Sequence, residues 1–440
     1  MFLGALRLKR AVLVLVVLVW ASVSLVSCGY SRSSYTPPSG VNTRVLVSQS
    51  VSSPSVSSGL IIVDGETDTF GKTFQISAGT SPGLMSISPT KALLLAFDSA
   101  TNSVQVIDTV TEQNNGRITL PGPTTSMAVV GAGAAATGYA AVPTATNTVW
   151  TVPGGVEVMN LSSGATTTAI GAPGAQTVVA NSTGTQLLVF GTDPNSVAVI
   201  SPIAAVPPID QGCDTAPNPV CTVVSGFDHP VYGFFGNNGA VYILNCGPEC
   251  GGTQASVQLL DFSTTPPSPG ALVPVDGATF AFPPVPSSTL YVVGNSPANS
   301  ACTGETTAAT TCGRLNIVDL GSMTVTSTAV ITDGYHDRMD MSDNGQLYIG
   351  SHGCTTIGSV NNPSGEVRGC LSILNTSDGS VLIPPDNGDV TGLQGFTSRS
   401  VEYVVEGGNL RIYDTTKNVL QATQLSISGD LIDVKSIDFF

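Results

Sequence analysis

Residues 88–111 read SPTKALLLAFDSATNSVQVIDTVT, and the fold can be worked out from this stretch. Two short apolar runs, Ala92–Phe97 and Val104–Ile107, are separated by a cluster of Asp, Ser, Thr and Asn. Runs of this length, bounded by turn residues, read as β-strands rather than helices. The second run ends on Asp108, whose carboxylate can accept the backbone N–H two residues on and so start a hairpin.

The same strand recurs along the chain. LIIVD ends at Asp64, VEVMN at Asn160, VAVIS at Ser201, VQLLD at Asp261, LNIVD at Asp319, LSILN at Asn375 and LRIYD at Asp414. With VQVID that makes eight copies, and no long segment of helical period lies between them. Each copy has an apolar strand before it, such as QLLVFG from Gln186 or VEYVVE from Val401, and another strand before that. A more variable strand follows. Four strands repeated at intervals of about 40–60 residues describe the blades of a β-propeller. The termini complete the count. DVKSIDFF at the C-terminus reads as a first strand with no second, and Arg44–Ser48 as a second strand with no first. Pairing them closes the ring, so the expected fold is all-β, an eight-bladed propeller of four-stranded antiparallel blades over residues 43–440. Seven blades is the alternative count.

Residues 88–111 also resemble the YVTN β-propeller repeats of bacterial and archaeal surface proteins. In those repeats a Ser-Pro-Asp-Gly turn precedes the second strand, and an Asn-Ser/Thr-Val run leads into the third. Met341-Ser342-Asp343-Asn344-Gly345-Gln346 is similar to the turn, and Asn195-Ser196-Val197 to the third-strand entry. The resemblance implies a propeller and a surface location; its motifs are turn and core positions and imply no chemistry. Propeller lactonases carry similar repeats, which makes a lactonase-like hydrolase the alternative function.

Arg7, Lys9 and Arg10 are followed by an apolar run from Ala11 to Trp20 and then by small residues up to Cys28. That is the order of a secretory signal. Leu25-Val26-Ser27-Cys28 resembles the lipobox of bacterial lipoproteins, in which the cysteine is acylated and becomes the N-terminus. The competing reading is an uncleaved membrane anchor. The expectation is a signal peptide over 1–27, a tether over the Ser- and Pro-rich residues 28–42, and attachment to a lipid bilayer through Cys28. Gly29 in place of Asp favours the outer membrane of the cell envelope.

Removing residues 1–27 takes three basic residues and no acidic ones, leaving 12 Lys and Arg against 30 Asp and Glu, a net charge of −18. Such a surface repels nucleic acid, and no basic stripe offsets it. No cofactor is expected: the domain has a single tryptophan, Trp150, whereas quinone-cofactor propellers use many. A monomer is expected.

Eight cysteines remain after Cys28, and export permits disulfides. Clustering favours Cys213–Cys221, Cys246–Cys250, Cys302–Cys312 and Cys354–Cys370, each pair within one inter-strand loop. Zinc held by Cys246, Cys250 and other thiols is the rival reading, disfavoured by the oxidising compartment.

Chemistry-bearing residues are few. His229 and His336 are expected in loops joining blades, His352 at the opening of the loop before Cys354, and Asp337 beside His336. All would lie on one face, with Asp340 on a first strand lining the channel. Together they form a candidate channel-mouth site, with turn and channel-plug roles as the competing reading. Gly79-Thr80-Ser81-Pro82-Gly83 fits the hydrolase G-x-S-x-G only formally, because Pro follows the serine and a strand comes next. The expected function is therefore a binding scaffold for a protein or glycan, acting through the loop-rich face, rather than an enzyme.

Overall fold

The computed structural model describes residues 37–51, 58–146, 153–201, 211–213, 221–236, 239–284, 287–297, 311–354, 369–385, 388–396 and 398–438. The leader 1–27, Cys28, Trp150, Cys302 and Phe439 lie outside the described residues.

Eight antiparallel sheets form an eight-bladed propeller. Blade 1 is composite. Its innermost strand is Asp430–Asp438, followed outward by Thr43–Ser50, Gly59–Asp64 and Thr69–Ile76. The two ends of the chain pair directly, Arg44 with Ile437 and Val47 with Val434. Blades 2 to 8 follow in chain order, with innermost strands Pro82–Ile87, Ser126–Val130, Thr177–Ala180, Pro230–Phe235, Phe280–Phe282, Tyr335–Met341 and Val390–Gly395. Each innermost strand packs on the next, and that of blade 8 packs on Asp430–Asp438, so the ring is closed.

Burial explains the sequence pattern. Second and third strands are covered on both faces by neighbouring blades, so Leu94, Leu95, Val404 and Val405 are all fully buried and the strands read as continuous apolar runs. Outermost strands are half in water; Thr69–Ile76 buries only its last residue. The core is a set of inter-blade layers. One joins Leu46, Leu60, Ile62 and Ile437 of blade 1 to Met85, Leu94, Ala96 and Ile107 of blade 2. Each Leu, Ile or Met in it contributes about 1.5–3 kcal/mol.

The hairpin expectation holds in seven blades. Asp64, Asp108, Asn160, Asp261, Asp319, Asn375 and Asp414 each accept the backbone N–H two residues on, at 2.7–3.0 Å. In blade 4 the description breaks off after Ser201. Four of these turns carry a non-glycine residue in the left-handed region, Asp68, Glu112, Met323 and Asn418, with φ between 51° and 55°.

Two details depart from a uniform plan. Gln211–Gly212, from the connection between the third and fourth strands of blade 4, adds a parallel fifth strand to the outer edge of blade 3. Cys213, the next residue, is bonded to Cys221 at the start of blade 4's last strand, so the disulfide pins this edge cover. The domain also begins before Thr43: Ser39 is buried, and its N–H and hydroxyl both donate to Glu112.

Candidate functional site

The face carrying the blade-joining loops and the second-to-third-strand loops holds the bonded pairs Cys246–Cys250 and Cys354–Cys370. Cys312 is also disulfide-bonded, while its expected partner Cys302 lies outside the described residues. Sulfurs used in these bonds are not zinc ligands, and among the described residues no group of three or more His, Cys, Asp or Glu could hold a metal.

The polar residues gather where blade 7 begins. Tyr335–Met341 enters the sheet through a bulge, with the register shifting between His336 and Arg338. A bulge re-aims the side chains around it. Asp337 lies in the bulge, and its carboxylate is shared. Oδ1 is 2.9 Å from Nε2 of His352, and Oδ2 accepts Nη1 of Arg338 at 3.1 Å. Arg338 also donates from Nε to the Thr391 carbonyl of blade 8 at 3.0 Å. All three side chains keep a little over a quarter of their surface in solvent. Tyr335 beside them is half exposed, and desolvation together with the Asp337 and Glu249 carboxylates pushes its hydroxyl up.

Glu249 arrives from another blade. It sits in the one-turn helix Gly247–Cys250, which the Cys246–Cys250 bond closes. Its carboxylate accepts the backbone N–H of Asn295 at 2.7 Å and the side-chain amide of Asn295 at 2.8 Å. The same amide donates to the Gly334 carbonyl at 2.8 Å, immediately before Tyr335. Burial pushes the Glu249 carboxyl up. The stapled loop of blade 5 is thereby tied through blade 6 to the start of blade 7.

The sequence candidates divide. Asp337 and His352 are brought together. His336 is not in a loop: it lies within the first strand, is fully buried, and its Nε2 donates to the Thr332 carbonyl at 2.9 Å. Burial lowers its pKa to about 4, so it is neutral and faces no solvent. His229 occupies the turn before blade 5 with φ 56° and pairs with the adjacent Asp228 at 3.1 Å. Burial would raise the Asp228 carboxyl, but hydrogen bonds from Thr253, His229 and Gln254 outweigh it and hold the group well below the usual carboxylate range. The pair fixes a turn, and no hydrogen bond among the described residues links it to Asp337 or His352. Asp340 lies on the innermost strand and ties blade 7 to blade 8: Oδ2 accepts the Gly395 N–H at 2.7 Å and Oδ1 that of Met341 at 2.8 Å.

No protein-family model matches the chain, and no curated protein sequence matches it. Solved structures do. The dihydro-heme d1 dehydrogenase NirN, in complex with DHE, is 12% identical, with 90% of this chain and 75% of that one covered and a TM-score of 0.56. The computationally designed Ika8 protein is 10% identical, with 84% and 96% covered and a TM-score of 0.52. The likeness is one of fold alone.

Glu249 and Tyr335 were absent from the sequence candidates. Only the position of Glu249 inside the Cys246–Cys250 loop could have flagged it, because its partner Asn295 is 46 residues away.

Proposed function

We propose that this chain is a binding module of the bacterial cell envelope, anchored through acylated Cys28 and recognising a protein or glycan at the rim of blades 5 to 7. The observation that carries the reading is the Asp337 carboxylate shared by His352 and Arg338, partly exposed, on the face that holds the Cys246–Cys250 and Cys354–Cys370 disulfides. Such a rim offers donors, acceptors and the Tyr335 ring on a rigid base, which limits the ordering cost of binding. The YVTN resemblance supports a surface role. Its turn recurs in two blades: Ser88 and Ser342 each accept, through the hydroxyl, the N–H that opens the next strand, Leu93 at 3.0 Å and Gln346 at 3.1 Å.

The test is capture of glycans on an array, and of envelope proteins by crosslinking, with the purified protein. Asp337→Ala and His352→Ala should abolish capture, whereas Lys417→Ala on an exposed third-to-fourth-strand hairpin should not. Equal capture by all variants would remove the rim from consideration. Lactone hydrolysis by the wild type that His352→Ala abolishes would put the lactonase-like reading in its place. For the anchor, Cys28→Ser should leave an unprocessed precursor without acyl label.

A further inference from the structure

Glu402 is the second residue of blade 8's second strand, Val401–Glu406, and is fully buried. Neither of its carboxylate oxygens has a hydrogen-bond partner among the described residues. A carboxylate cannot stay ionised in that state, because nothing replaces the water it lost. Among the described residues no cation acts on it: Arg411, on the neighbouring strand, pairs with Val404, two residues along. The charged group that does act on it is another acid, Asp340 of blade 7. Lys435 of blade 1 acts on Asp340, but its Nζ is held by the Asp433 carboxylate at 2.8 Å and the Val434 carbonyl at 3.1 Å. From the remaining elements around Glu402 come Tyr348 on blade 7's second strand and Tyr413 and Arg411 on blade 8's third; Tyr413 pairs with Glu402 in register and donates to Glu406.

Gly395 places the two acids together. Its N–H donates to Asp340 Oδ2 at 2.7 Å, and a Cβ on it would stand 2.8 Å from Glu402 Oε2. The same residue thus touches both carboxyl groups, and a side chain there would displace the second. Asp340 is partly exposed on the innermost strand, while Glu402 lies behind it with no exposure.

We infer that Glu402 and Asp340 share one proton across the seam between blades 7 and 8, and that losing this proton loosens the seam. Glu402 carries the proton and donates it to Asp340 Oδ1, which accepts only the Met341 N–H and keeps a free lone pair, whereas Oδ2 accepts both the Gly395 N–H and the Gln394 amide. Burial first, and the Asp340 charge second, hold the Glu402 carboxyl well above its usual range. A group raised in the folded state stabilises fully below its unfolded pKa and loses that contribution as pH rises through the folded value. The seam is therefore tightest in acid. Asp340 lies on the same strand as Asp337, so the seam is where pH reaches the rim; the proton assignment itself does not depend on the binding reading.

The test measures the thermal midpoint of the full chain from about pH 5 to about pH 8.5, a range above the ordinary carboxylate pKa. The wild-type midpoint should fall on the alkaline side, and Glu402→Gln, which keeps shape and cannot ionise, should at least halve that fall. Infrared spectra at neutral pH provide a readout that does not depend on folding energetics: a protonated carboxylic acid band in the wild type, absent in Glu402→Gln. An unchanged pH profile together with no acid band would overturn the inference. So would stabilisation by calcium or sodium that Glu402→Gln abolishes, since a cation would then occupy the proton's place.

Discussion

The Arg44 guanidinium and the Glu112 carboxylate meet 2.7 Å apart across the boundary between blades 1 and 2, each side chain 1% exposed. Glu112 reaches this position from a hairpin turn with φ 55°. The equivalent turn residue of blade 1, Asp68, holds Arg399 of blade 8 at 2.8 Å, and that of blade 8, Asn418, donates to Gln346 of blade 7 at 2.9 Å. Three successive seams around the closing blade are thus fastened by the same left-handed turn position, each reaching back to the preceding blade.

Because the Arg44–Glu112 pair is buried, removing one charge strands the other. Glu112→Gln should cost about 3–5 kcal/mol, whereas replacing both partners with apolar residues of similar volume should cost much less. Urea unfolding of the single and double variants measures the difference. A single variant within about 0.5 kcal/mol of wild type, the range of ordinary surface substitutions, would mean that water reaches the pair.

His336 gives the opposite pH dependence to Glu402. Burial first lowers its pKa to about 4, against 6.5 for a free imidazole. Its neutral form stabilises the fold above the unfolded pKa, and that contribution is lost as pH falls through about 6.5 towards 4. His336→Gln should flatten the acid limb of the stability profile by about 3 kcal/mol relative to wild type. An acid limb of unchanged depth would show that His336 takes up its proton while folded.

The propeller was legible because its determinants are local and repeated. Asp64, Asp108 and Asp414 each start a hairpin with their own carboxylates, so the pattern survives without knowledge of any neighbour. Closure was legible because Arg44–Ser48 and DVKSIDFF each lacked a partner strand. The site was only half legible. Asp337 and His352 were both placed in the channel-mouth cluster, yet their direct contact depends on a bulge that no residue type announces. His336 looked like its neighbours in sequence; alternation along a strand turned it inward. Glu249 and Glu402 act through Asn295 and Asp340, partners on other blades, and composition carries no trace of such pairings.

The Cys246–Cys250 bond closes a loop with a sequence separation of only 4, so the chain-entropy account assigns it about 2 kcal/mol. Its larger effect should be positional, because it holds the turn that delivers Glu249 to Asn295. The double variant Cys246→Ser, Cys250→Ser should unfold slightly earlier, with faster amide exchange at Asn295. Protection at Asn295 equal to wild type would show that the contact stands without the staple.

Ring closure depends on the last strand. Val434 and Ile437 are fully buried, and Asp433 Oδ2 accepts the Met85 N–H of blade 2 at 2.8 Å. On the other side, a Cβ on Gly392 of blade 8 would stand 2.9 Å from the backbone nitrogen of Val434, so blades 8, 1 and 2 all rest on this segment. Deleting residues 433–440 removes two core side chains worth about 3–6 kcal/mol together. It also strips the hydrogen-bonding edge of Thr43–Ser50, an invitation to intermolecular pairing. Set against a total stability of about 5–15 kcal/mol, the loss takes a large fraction of the margin before the exposed edge is counted. The truncated protein should be insoluble or melt without a sharp transition, as circular dichroism and light scattering would report. A truncation that melts like the intact chain would mean that the ring holds with blade 1 incomplete, and that the inter-blade layers, not the clasp of the two termini, close it.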